Sequence, residues 1–70
     1  MIKVNFDASG FGHKTYKFKT ISEAKKFITK DSKSVAGDYD GVISNYEFET
    51  VVEDKGGNEI ARWELFEEWR

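Results

Sequence analysis

The chain has 70 residues, room for one domain with a single small core, and its 39% apolar, 16% aromatic and 34% charged content is too hydrophobic for a disordered segment. It has no cysteine, which excludes disulfides, thiolate metal sites and a thiol nucleophile; no apolar run exceeds two residues, which excludes a membrane span or signal peptide within it. The expectation is a soluble, cytoplasmic domain, and composition says nothing further about what it does.

Met1–Ala8 alternates, with Ile2, Val4 and Phe6 on one side and Lys3, Asn5 and Asp7 on the other. That is the period of a half-buried strand. Ser9-Gly10-Phe11-Gly12-His13 reads as a five-residue connection. Lys14–Lys19 then alternates again, with Tyr16 and Phe18 on the apolar side. The two runs predict a hairpin.

Thr20-Ile21-Ser22-Glu23 fits a capping box, in which a threonine hydroxyl and a glutamate three residues on satisfy each other's backbone N–H groups. Ile21, Ala24, Phe27, Ile28 and Asp31 follow at helical spacing, and Ser22, Lys26, Thr29, Lys30 and Lys33 fall on the opposite side. The spacing predicts a helix over 21–31, with lysines near its end suiting the negative pole of the dipole. Residues 31–41 are polar with two glycines and read as a loop.

From Val42 to Asp54 the pattern predicts one long strand, with Tyr46, Phe48, Thr50 and Val52 facing the core and Ile43, Glu47, Glu49 and Val51 facing out. Lys55-Gly56-Gly57-Asn58 reads as a turn, the glycines forming a two-residue type I′ loop. Glu59–Phe66 returns, with Ala61, Trp63 and Leu65 inward. That loop sets a register in which Val52 faces Ala61, Thr50 faces Trp63, Phe48 faces Leu65 and, on the outer side, Glu49 faces Glu64 and Val51 faces Arg62. The expected fold is α+β in the order ββαββ: a four-stranded, mostly antiparallel sheet with one helix on one face and the other face open. The expected core is Ile2, Val4, Phe6, Tyr16, Phe18, Ile21, Ala24, Phe27, Ile28, Tyr46, Phe48, Val52, Trp63 and Leu65.

Tyr16–Phe18 leading into Thr20-Ile21-Ser22-Glu23-Ala24 resembles the strand-to-helix step of the arm-DNA-binding domains of tyrosine recombinases. The likeness covers thirteen residues, Tyr16 to Ile28. Those domains place three strands before the helix and are basic, whereas here two precede it and the chain is acidic. The resemblance therefore implies a sheet-plus-helix arrangement and carries no functional residue across.

The net charge of −2 divides unevenly. The first 35 residues hold eight lysines against three acids, and the last 35 hold three cations against ten acids, +5 against −7. If the hairpins adjoin, Lys3, Lys17 and Lys19 meet Glu47, Glu49, Glu53 and Glu64 in a lattice of opposite charges on the open face. If part of that face stays uncompensated, it docks a partner.

Asp38-Tyr39-Asp40-Gly41 through Glu47 follows the second half of an EF-hand calcium loop, but Ala36 stands where the first oxygen ligand belongs. His13 is the only histidine, and no nucleophile or metal-ligand motif accompanies it. No cofactor is implied. The leading expectation is a non-enzymatic module that binds another protein, or a second copy of itself, through the open sheet face and the aromatic C-terminus. Phe66, Trp69, Val51, Ile43 and Arg62 are its candidate contacts. The second class is nucleic-acid binding through Lys25, Lys26, Lys30 and Lys33 on the helix. A related third is that the acidic half mimics nucleic acid toward a DNA-binding partner.

Overall fold

The computed structural model describes residues 1–10 and 12–67. Five strands, β1 (Ile2–Ala8), β2 (Gly12–Phe18), β3 (Val42–Asn45), β4 (Glu49–Glu53) and β5 (Glu59–Glu67), accompany one helix, α1 (Ile21–Tyr39). They form a single sheet in the order β2-β1-β5-β4-β3, and every neighbouring pair is antiparallel. The α+β class and the helix against one face agree with the sequence. The strand number does not: the sheet has five strands where four are expected.

The first hairpin pairs Ile2 with Phe18 and Ala8 with Gly12, so its connection is shorter than five residues. Gly10 within it and Gly12 at the start of β2 supply positive φ angles of 82° and 91°. At the start of α1, the Thr20 hydroxyl oxygen accepts the Glu23 N–H at 3.2 Å, and its O–H meets Glu23 Oε1 at 3.4 Å. A cap of this kind is worth about 1 kcal/mol.

The helix does not stop at residue 31 but runs to Tyr39, so the expected loop is two further turns of helix. Ile28, Ser32, Val35 and Ala36 continue the buried stripe at helical spacing. Ser32 enters the interior because its hydroxyl donates to the Thr29 carbonyl at 3.2 Å. The chain ends the helix at Asp40, in the left-handed region at φ 53°, ψ 45°, and the N–H groups of Asp40 and Gly41 both reach the Ala36 carbonyl.

The long strand expected over 42–54 is folded back on itself. Tyr46 N–H donates to the Glu49 carbonyl at 2.7 Å, which reverses the chain at Glu47-Phe48 and pairs Ile43 with Val52 and Asn45 with Thr50. A straight strand keeps residues of opposite parity on opposite faces, whereas this reversal places Ile43 and Asn45 on the face of Val52 and Thr50. Tyr46 and Phe48 therefore leave the expected core for the tip of a turn, 64% and 56% exposed.

The register expected for the last hairpin holds from Glu49↔Glu64 to Val52↔Ala61, while the expected turn does not. Asp54 N–H pairs with the Asn58 carbonyl, Gly57 N–H returns to the Asp54 carbonyl, and only Gly57 has positive φ, 84°. Three residues make the loop, and a bulge between Val52 and Glu53 restores the register.

The Asp54 carboxylate accepts from the Asn58 and Gly56 N–H groups, each at 2.9 Å, and from Asn58 Nδ2 at 3.3 Å. These bonds, the Asn58 backbone bond foremost, hold its pKa below the ordinary carboxylate value. A group depressed in the folded state stabilises fully above its unfolded pKa and loses that contribution as pH falls through its folded pKa. Asp54→Asn is expected to flatten the acid limb of stability against pH, followed by urea midpoints. An acid limb identical to that of the unsubstituted protein would contradict this role for the turn.

The core lies between α1 and the sheet: Ile2, Val4, Ala8, Ala24, Ile28, Val52, Ala61, Trp63 and Leu65. Phe6 packs on Trp63 with ring centroids 5.1 Å apart, and Phe27 touches both Tyr16 at 4.5 Å and Phe18 at 5.2 Å. Asp31, the one acid in the expected apolar stripe, accepts a hydrogen bond from Trp63 Nε1 at 3.0 Å. Among the described residues, no helix is long and apolar enough to cross a membrane.

Candidate functional site

On the open face, β1 and β5 are adjacent, so the two hairpins do adjoin. Across that seam Lys3 faces Phe66, Asn5 faces Glu64 and Asp7 faces Arg62. On this face Arg62 reaches Glu49 at 3.0 Å and Glu59 at 2.8 Å. These carboxylates, the Glu59 hydrogen bond foremost, raise the Arg62 pKa above its ordinary value. Arg62 thus supplies the cation that the like-charged Glu49–Glu64 pair requires. Glu47 lies in the β3–β4 turn and Lys19 lies beyond β2, so neither joins an open-face lattice.

The expected contact residues of this face are not brought together. Ile43 lies on the inner face, opposite Val52 and packed against the core, because of the chain reversal. Val51 does lie on the outer face but is only 7% exposed. Arg62 is engaged by two carboxylates. Phe66 remains 43% exposed, with Lys3 Nζ 5.9 Å from its ring centroid. Trp69 lies outside the described residues, as does Phe11 in the first hairpin connection.

The calcium-like pattern does not form a loop. Ala36 to Tyr39 are helical, Asp40 is the left-handed cap paired with Lys55 at 2.7 Å, and Val42–Asn45 is a strand. No group of three or more His, Asp or Glu side chains among the described residues is placed to hold a metal ion. His13 is exposed on β2, across from Asp7.

The helix side is different. Ser22, Lys25, Lys26, Thr29, Lys30 and Lys33 are all exposed and line one shallow, open groove along α1, with Ile21 at its end and no acid among them. Because α1 continues to Tyr39, Lys30 and Lys33 are mid-helix, and no basic residue stands in the last turn. The dipole therefore gives no reason for them to be there. Lys26–Lys30 and Lys30–Lys33 are like-charge neighbours at helical spacing, each costing about 0.2–0.5 kcal/mol.

Lys25 and Thr29 also line a second cleft, of about 240 Å³, whose far wall is the β3–β4 turn with Tyr46, Glu47, Phe48 and Glu49. Its floor includes Thr50, whose hydroxyl donates to Asn45 Oδ1 at 2.9 Å. That cleft is smaller than the roughly 300–1,000 Å³ of sites that enclose a small molecule. The two depressions share a wall, so a lysine stripe and two exposed aromatic rings border one continuous surface. The lysines were legible in the sequence. The aromatics beside them were not, because reading 42–54 as one strand buries them.

Comparison with protein-family models, curated proteins and solved structures finds no match to this chain.

Proposed function

We propose that this protein is a non-enzymatic binding module whose recognition surface is the basic groove of α1 together with the aromatic β3–β4 turn, and that its partner is anionic. The observation that carries the reading is the acid-free set Lys25, Lys26, Lys30 and Lys33, exposed on one helix face, with Lys25 also lining the cleft of Tyr46 and Phe48. Local charge decides here over net charge: the chain is −2 overall, but its acids concentrate on the strands that follow the helix. The open sheet face is the weaker surface, since its central cation is engaged and Val51 is covered.

The test is retention on an immobilised polyanion such as heparin at low ionic strength. The protein is expected to bind despite its net negative charge, and a Lys30→Glu, Lys33→Glu variant to pass through. Phe66→Ala is expected to be retained like the parent. Flow-through of the parent, or equal retention of the charge-reversed variant, refutes the reading.

A further inference from the structure

The surface has two chemically different walls. One is the lysine stripe of α1. From Lys25 to Lys33 it extends about 12 Å along the helix axis, at roughly 1.5 Å per residue. The other wall carries the rings of Tyr46 and Phe48, with Glu47 between them in the chain; the Glu49 carboxylate is turned to Arg62 on the open sheet face. Lys25 and Thr29 form the ridge common to both.

An acidic peptide matches the first wall and is repelled by Glu47 of the second. A DNA duplex can lay phosphates on the first wall, but its bases are stacked inside and offer no free ring face to Tyr46 and Phe48. A single strand has the polarity of the groove: phosphates along one side, and along the other flat bases able to stack on aromatic rings. Exocyclic amino groups on those bases can donate to a carboxylate such as that of Glu47, as cytosine N4 does in base recognition. A second copy of this chain brings carboxylates to the lysines, but its net charge of −2 and its own acids meet the Glu47 side unfavourably.

We infer that the anionic partner is single-stranded nucleic acid, with its phosphates on Lys25, Lys26, Lys30 and Lys33 and its bases on Tyr46 and Phe48. This rests on the binding-module reading above and adds the ligand class to it. Four lysines engaged at once give a slope of log affinity against log salt of about −3. Both aromatic side chains are exposed at a turn, and the Phe48 carbonyl bond to the Leu65 N–H is made by backbone. Their removal therefore leaves the fold intact.

The experiment is fluorescence anisotropy with four labelled probes: oligodeoxycytidine, oligodeoxyuridine, a duplex of equal length and a glutamate-rich peptide. Oligodeoxycytidine is expected to bind tightest, and to weaken about fiftyfold between about 50 and about 200 mM salt. Tyr46→Ala with Phe48→Ala is expected to weaken it about fivefold or more at an unchanged salt slope. Lys30→Glu with Lys33→Glu is expected to abolish binding. Equal affinity for cytosine and uracil strands overturns the placement of bases beside Glu47. Binding of the duplex as tightly as the single strand, or indifference to loss of the aromatics, overturns the single-strand assignment. Binding of the peptide without either oligonucleotide overturns it too while leaving the anionic groove standing, and no binding of any probe removes both.

Discussion

Trp63→Ala is expected to leave the protein largely unfolded at room temperature. Trp63 is fully enclosed on β5, its ring packs on Phe6, and its indole N–H donates to Asp31 across the layer. Deleting such a side chain costs about 3–5 kcal/mol through lost burial and the cavity left behind. A small domain has only about 5 kcal/mol in total to lose. Trp63→Phe separates the two parts of the effect. It keeps most of the ring but removes the donor to Asp31, an expected loss of about 1–3 kcal/mol. Urea unfolding followed by far-ultraviolet circular dichroism reads both variants. A Trp63→Ala protein with an unshifted midpoint would mean that the layer between α1 and the sheet is not the core.

The second large effect is expected at Gly41, where the chain leaves the helix cap and enters β3. A Cβ at this position would lie 2.8 Å from Val52 Cγ1 and 2.9 Å from the Glu53 carbonyl oxygen. The second contact is backbone within the sheet, so relief requires β3 and β4 to move apart. Gly41→Ala should cost about 1–3 kcal/mol. Gly37→Ala provides the internal comparison. Gly37 lies within α1 with open space where its Cβ would be, so alanine there should stabilise by about 0.5–1 kcal/mol. Midpoint shifts of the same sign for the two variants would contradict the close approach at the helix exit.

What the sequence disclosed and what it hid follow from the same physics. Period-two alternation marked β1, β2 and β5 because each has a clear inner and outer side. The Thr20 cap marked the start of α1, since capping is local chemistry. The end of α1 was hidden because Ser32, Ser34, Gly37 and Asp38 are weak helix formers, and tertiary packing of Val35 and Ala36 outweighs them. The chain reversal at Glu47-Phe48 was hidden for a different reason. It uses no glycine, no proline and no positive φ, so alternation runs through it without a break.

That second omission displaced the candidate site. Once β3 folds back on β4, Ile43 turns inward, and Tyr46 and Phe48 emerge next to Lys25. The basic helix face then gains the aromatic neighbours that its sequence lacks. Meanwhile the outer sheet face is held together internally by Arg62 and its two carboxylates.

The central claim is that recognition occurs on the helix side at the β3–β4 turn and not on the open sheet. Amide chemical shifts of the labelled protein, followed during titration with a single-stranded oligonucleotide, test it most directly. The account predicts that changes concentrate on Lys25 to Lys33 and on Tyr46 to Glu49, with Lys3, Arg62 and Phe66 unmoved. Changes centred on Lys3, Arg62 and Phe66, with the helix silent, would contradict it.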